Sequence, residues 1–417
     1  MFVAIADQRQ GPPAPVPARH YDAIVVGGGH NGLVAAGYLA RAGLSVIVLE
    51  RRGIVGGPCG RVEYFPGYIG AISNSPGALE PKIAEDLELE RFGLHFNRPN
   101  PLLVAPFPDG RAFTAWREKE RSVEEIKRFS AHDAVAYYAF FDYLEWFAHR
   151  LGISVFEPPP SLPDMLARLK TPEDEEAFGK IFLCSIKSLL DERLETEEIK
   201  SLIAALGVVS NFVSPSWPGT PYMLLQRPLS LASTVKSEFK NDPRRQPMRG
   251  STGLPIGGMG AITDSMRRSI EASGATVRTE SAVAAILVRH GAARGVALAS
   301  GEEISGSIVL CNVNPKTVFL DMLDRSVVDP AVRTRFEKLK MTGSAFKIGL
   351  ALDGIPRHRA ARNDGEVRLL SAYQFRCQRR SKNASAGRSK NASRLTAGRP
   401  PRGAFLRPRL FLGWTVG

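Results

Sequence analysis

Cysteine is scarce in this chain, and what there is lies scattered. Only Cys59, Cys184, Cys311 and Cys377 occur among 417 residues, and no two of them form a Cys-x-x-Cys pair. Such spacing gives neither a zinc ribbon nor a disulfide framework, and it fits a reducing, cytoplasmic setting. No metal site is expected. Long apolar runs are missing too. The most apolar stretch, Ala23 to Ala40, is interrupted by His30, Asn31 and several glycines, so it is not read as a membrane span. Residues 1–20 show no basic start followed by an apolar core, so no signal peptide is expected; they are rich in proline and read as disordered.

Most of the chain also lacks net charge, although the whole carries +13. Of the 55 Lys and Arg, 15 fall in residues 357–417, against 2 of the 42 acidic residues, which leaves 40 of each sign in residues 1–356. The basic balance belongs to one segment and says nothing of what the body binds. A basic arm for nucleic acid or an anionic membrane is one reading of that segment. The other, favoured here, is a solvated disordered tail, because its polar hexamer Arg380–Ser385 recurs as Arg388–Ser393 and no apolar periodicity follows Pro356. No nucleic-acid partner is expected.

What is present is concentrated between Tyr21 and Arg52. Ala23 to Val26 is a short β-branched run suited to a strand buried on both faces. Gly27, Gly29 and Gly32 follow in Gly-x-Gly-x-x-Gly order. Leu33 to Ala42 has helical composition, Gly43 stops it, Ser45 to Leu49 is a second buried strand, and Glu50 stands at its end. Together these make a βαβ dinucleotide fingerprint; the alternative is a glycine-rich turn in some other α/β protein. Gly27 permits the tight turn, Gly29 lets backbone approach a pyrophosphate, and Gly32 with Ala36 lets helix and strand pack closely. The helix start offers N–H groups and a positive dipole end to phosphates, and Glu50 can accept hydrogen bonds from a ribose. Gly56 and Gly57 supply a second glycine pair, of a kind that in many flavoproteins passes over the pyrophosphate. A dithiol mechanism would place a second cysteine five positions after Cys59, where Tyr64 stands, so Cys59 reads as a plain small residue.

Beyond this unit the pattern predicts a helix over 80–94, a hairpin around Pro108-Asp109-Gly110, and one long helix over 122–151 capped by Ser122 and Glu125. Tyr137, Phe140, Phe141, Leu144 and Phe147 share a face of it, as the lining of a lipophilic pocket or, by preference, as an ordinary core face. Helices are expected over 161–170, 172–190 and 196–206. Gly257-Gly258-x-Gly260 is read as a turn into a helix over 261–273, since no strand is expected before it and the spacing is wrong for a second nucleotide loop. Strands at 276–278, 283–289, 295–299 and 307–310 form a short antiparallel insertion returning to a parallel strand. Residues 313–323 and 330–340 read as helical and 344–352 as a strand. The domain reading is 1–20 disordered, 21–100 and 251–342 nucleotide-binding, 101–250 inserted substrate domain, 343–356 a substrate-domain strand and 357–417 basic tail.

Residues 21–356 resemble the FAD-dependent oxidoreductases of the phytoene desaturase group. The likeness is carried by Val26 to Ala36, Val48 to Arg52, Gly56-Gly57, Gly219 to Tyr222, Gly257 to Ala261, Gly301 to Glu303 and Asn314 to Lys316. The resemblance implies an α/β fold: a Rossmann-like FAD/NAD(P)-binding domain of glutathione-reductase type with an inserted, largely helical substrate domain. It implies non-covalent FAD, with Gly27, Gly29 and Gly32 at the pyrophosphate, Glu50 at the adenosine ribose and Val283 meeting the adenine through its backbone. Gly28, Asn31, Arg51 and Gly57 join these as cofactor-binding positions. The activity implied is hydride transfer from a lipophilic substrate to flavin, with electrons passing to an unidentified acceptor; no side chain is given a catalytic role. A peripheral membrane contact is left open. Members of the group continue through a glycine-rich segment and helix that close over the flavin, and none is legible after Pro356, so the chain is expected to be truncated. The alternative function is accordingly a non-catalytic flavin-binding fragment or a regulatory protein.

Overall fold

The computed structural model describes residues 20–73, 79–154, 157–208, 213–233, 253–341, 346–351, 357, 359–361 and 411–416. Strand β1 (His20–Val26) leads through a glycine turn into helix α1 (His30–Arg41) and strand β2 (Val46–Leu49). Gly43, at φ 86°, ends α1; the N–H groups of Ala42, Gly43 and Leu44 donate to the carbonyls of Tyr38, Ala40 and Leu39. The chain continues through the hairpin β3 (Val62–Phe65) and β4 (Tyr68–Gly70), helix α2 (Pro81–Asp86), strand β5 (Phe96–Asn97) and the hairpin β6 (Leu103–Pro106) and β7 (Ala112–Ala115). A helical block follows: α3 (Lys119–Lys127), α4 (Ala131–Leu151), α5 (Leu162–Leu166), α6 (Pro172–Phe182), α7 (Ile186–Asp191), α8 (Glu197–Val208) and α9 (Gln226–Ser233). Then come β8 (Leu254–Pro255), α10 (Gly260–Ala272), β9 (Thr276–Arg278), β10 (Val283–Arg289), β11 (Ala292–Leu298), β12 (Glu303–Cys311), α11 (Pro330–Lys338) and the strands β13 (Phe346–Ala351) and β14 (Phe411–Val416).

The central sheet runs β10-β11-β12-β1-β2-β9. β1 is parallel to both β12 and β2, β2 is parallel to β9, and β10, β11 and β12 are antiparallel neighbours. Alternation along β1 and β2 gives the sheet two apolar faces. Ala23, Val25, Val46 and Val48 pack with Leu33 and Ala36 of α1 and Ile262, Met266 and Ile270 of α10. Ile24, Val26, Ile47 and Leu49 face the other way, against Val296, Leu298 and Ile304. A second core lies apart from these, built around α4. Tyr137, Phe140, Leu144 and Phe147 are each at most 1% exposed and meet Ile181, Leu189, Leu190, Ile199 and Ile203 from the neighbouring helices. Burial of side chains this large contributes about 1.5–3 kcal/mol each. The aromatic stripe is therefore a packed core face, with Phe141 only partly buried at its margin. Among the described residues no helix is long and apolar enough to cross a membrane.

Several expected elements are corrected. The helix over 122–151 is two helices. Ser122 is turned away, its hydroxyl accepting from the Trp116 N–H at 2.8 Å and donating to the Trp116 carbonyl at 3.0 Å. Ser130 instead takes extended backbone and accepts the Asp133 N–H, which starts α4. Ser185 divides the 172–190 helix in the same way. The helix over 80–94 stops at Asp86, because Leu87 and Leu89 both plug into the sheet core and Glu88 between them turns left-handed, at φ 51°. Within 313–323 the helix runs over 315–322, with Thr317–Met322 wound as a wide π-helix. The segment 357–417 is not wholly without structure. Phe411–Val416 pairs antiparallel with Phe346–Ala351, Phe411 opposite Ala351. That run is aromatic and β-branched, a strand signal outweighed in the sequence by the surrounding arginines. Residues 1–19 and most of 357–410 lie outside the described residues, and the disorder expected there is not addressed by the structure.

Candidate cofactor site

The site is built where β1 stops. Gly27 adopts φ 100° and donates its N–H to the Leu49 carbonyl at 2.8 Å, which fixes the turn against β2. The Gly28 N–H donates to Glu50 Oε2 at 2.9 Å, and the Arg52 N–H donates to Glu50 Oε1 at 2.9 Å. Glu50 is buried, at 7% exposure, and so organises both loops while keeping lone pairs for another donor. Gly29 then begins α1: its carbonyl accepts the Leu33 N–H, no side chain caps the helix, and the first turn holds no acidic residue. The N–H groups of Asn31 and Gly32 in the first turn find no acceptor among the described residues, which is the arrangement that attracts an anion.

The second glycine pair meets the first. The Gly56 N–H donates to the Gly28 carbonyl at 2.7 Å, and Gly56 (φ 113°) and Gly57 (φ 55°) carry the chain back across the turn. The Ser281 N–H donates to the Glu50 carbonyl and the Glu280 N–H to the Arg52 carbonyl, so the start of β10, with Val283, is tied to the same corner. Of the positions read from sequence, Gly27, Gly28, Gly29, Gly32, Glu50, Gly57 and Val283 are thus brought to one end of the sheet. Asn31 and Arg51 are exposed beside it.

The glycines are not equivalent. A Cβ on Gly32 would overlap the Gly27 carbonyl oxygen, and one on Gly27 would sit 2.9 Å from the Asn312 carbonyl oxygen, so the fold itself demands both. Gly29 has ordinary extended backbone, φ −70° and ψ 168°. A Cβ there would have Asn312 Nδ2 at 3.4 Å and Gly57 Cα at 4.0 Å as its nearest neighbours beyond the adjoining chain. Protein packing does not require a glycine at 29, yet a side chain would fill the space in front of the helix start. That cradle fits a pyrophosphate.

Cys59 lies beside this corner, its Sγ 3.9 Å from His30 Nδ1. Burial pushes its thiol up, against a hydrogen bond with Ser73 that lowers it, and Cys59, Cys184 and Cys311 are all free. Among the described residues Cys59 has no cysteine partner. Gly257 and Gly258 form a turn (φ 88° and 81°), and the expectation that no strand precedes it is corrected by the two-residue strand β8, which pairs with β5; the side chain of Arg61, paired with Asp264 at 3.0 Å, lies across Gly260. The missed residue is Asn312. It closes the turn from the end of β12, and the one signal for it is its place just past an apolar strand beside β1, where open parallel sheets bind ligands.

The model of the family described as flavin containing amine oxidoreductase matches residues 32–393. This chain belongs to that family. Membership implies a flavin as the cofactor. Pyridine nucleotide-disulfide oxidoreductase domain-containing protein 2 of Mus musculus is 31% identical over 376 residues, 82% of this chain and 62% of that protein. The neurosporene-forming phytoene desaturase of Cereibacter sphaeroides is 26% identical over 323 residues, 75% of this chain and 56% of that protein. This family member therefore spans less than two thirds of the length of these relatives. Wild-type putrescine oxidase bound to putrescine has the same fold, with a TM-score of 0.51 and 18% identity over 81% of this chain and 68% of that one.

Proposed function

We propose that the chain is a dehydrogenase that holds FAD in this cradle and oxidises a lipophilic substrate. One observation carries the cofactor half: Gly29 is a glycine the fold does not need, in front of a helix start that no side chain caps. The first-turn N–H groups of α1 would meet the pyrophosphate, Gly57 would pass over it, Glu50 would accept from the adenosine ribose, and the backbone near Val283 would border the adenine. Bound there, the flavin supplies a two-electron acceptor for hydride and passes the electrons on to a second acceptor. The chain's own part is to bind and orient. Burial raises the Cys59 thiol, and it has no cysteine partner among the described residues.

The lipophilic half is supported by the match to a phytoene desaturase, whose named substrate is a hydrocarbon. The test is anaerobic reduction. The FAD-loaded chain is mixed with an isoprenoid hydrocarbon and, separately, with a polar amine. Bleaching of the flavin absorption by the hydrocarbon alone is the expected result; bleaching by the amine alone would contradict the substrate class while leaving the cofactor reading intact.

A further inference from the structure

Asn312 follows the last residue of β12 and folds over the glycine turn from a distant part of the sequence. Its backbone is already committed: the N–H donates to the Val26 carbonyl at 2.8 Å, and the carbonyl oxygen stands against Gly27. Its side chain is not. Nδ2 lies 3.4 Å from the place a Gly29 Cβ would take and 3.2 Å from that of a Gly32 Cβ, so the amide sits over the first turn of α1. It is half-buried and makes no side-chain hydrogen bond to another described residue. The atoms nearest the Cβ positions of Gly27, Gly28, Gly29 and Gly32 come from Glu50, Val55, Gly57, Asn312, Val313 and the turn itself, and none belongs to Lys or Arg. Among those atoms Asn312 brings the one side-chain donor.

We infer that Asn312 is a cofactor-binding residue whose amide Nδ2 donates to the pyrophosphate of the bound dinucleotide, as a side-chain complement to the helix N–H groups. The inference rests on the FAD reading above. It explains why the end of β12, and not the loop after β2 alone, closes the corner. Its chemistry is that of a donor to an anion, so reversing the donor should matter more than removing bulk.

The test is titration of the full, flavin-free chain with FAD and with ADP, which carries the same pyrophosphate without the flavin, alongside thermal melting of the unliganded protein. Asn312→Asp keeps the shape but replaces the donor with a carboxylate. It is expected to weaken both ligands by about tenfold to a hundredfold, as fits a hydrogen bond to a charged group. For FAD, whose internal pyrophosphate does not titrate in this range, the gap from wild type should shrink between about pH 8 and about pH 5 as the new carboxyl gains a proton and becomes a donor; His30, Glu50 and Cys59 face the same corner in both proteins and cancel in that comparison. Asn312→Ala should weaken both ligands less than Asn312→Asp does. Wild-type affinity in Asn312→Asp at high pH would overturn the inference. So would a loss of affinity that ignores pH and travels with a fall in the unliganded melting temperature, since that marks a packing role. A wild-type chain that takes up neither FAD nor ADP is a distinct result and defeats the FAD reading itself.

Discussion

Gly29 and Gly32 lie three residues apart in one motif and do opposite jobs. Gly32 serves the protein, because any Cβ there would strike the Gly27 carbonyl; the protein would tolerate a Cβ at Gly29, which on the proposed reading serves the ligand. Gly32→Ala is accordingly expected to destabilise the unliganded chain by about 1–3 kcal/mol, the usual range for overpacking. Gly29→Ala should leave its melting within about 0.5 kcal/mol of wild type and still weaken FAD. Melting of both unliganded variants, followed by FAD titration, checks the pair; a destabilised Gly29→Ala with unaltered FAD affinity would reverse the assignment. At this scale the sequence was informative where a task is local. The motif spacing located Gly27, Gly29, Gly32 and Glu50. It did not show that Glu50 also holds the Gly28 and Arg52 N–H groups, nor that Asn312 arrives from another strand, since both depend on tertiary placement.

Elements were legible by type and less so by boundary. Apolar periodicity runs unbroken across residues 122–151, and the break at Ser130 comes from a cap and a tertiary anchor. Asp133, in the first turn of α4, is fully buried. It accepts the Glu195 N–H at 2.8 Å, the Thr196 N–H at 2.9 Å and the Thr196 hydroxyl at 2.6 Å, which ties α4 to the start of α8. Burial pushes its carboxyl up, but these bonds and the His132 contact outweigh it and hold the group below its ordinary value of 3.8. A carboxyl lowered in the folded state stabilises above its unfolded value and loses that contribution as pH falls through the folded one. Asp133→Asn, which keeps one acceptor oxygen, should therefore cost about 1.5–3 kcal/mol near neutral pH. The gap between the two proteins in urea unfolding should narrow as pH drops below about 4. A gap that is constant with pH would show that the carboxylate charge contributes nothing to the anchor.

At the scale of the whole molecule, two cores organise the chain: one on both faces of the central sheet, and one around α4 drawn from residues 102–229. The sheet was legible because β1 and β2 are continuous apolar runs and the turns between β10, β11 and β12 carry Gly291 and Gly301 at φ 72° and 89°. The segment after Pro356 was the least legible. Its arginines and its repeat obscured the run Phe411–Val416, which pairs with β13, and the family match extends to residue 393. The central claim is that this chain, with its two glycine turns and the start of α1, holds one FAD. Its most direct measurement is the titration of the purified full chain with FAD, following flavin absorption and bound stoichiometry. The account predicts saturation at one FAD per chain, with flavin that heat releases intact. No saturable binding, or equal uptake by a Gly29→Val variant that melts like the wild type, would contradict it.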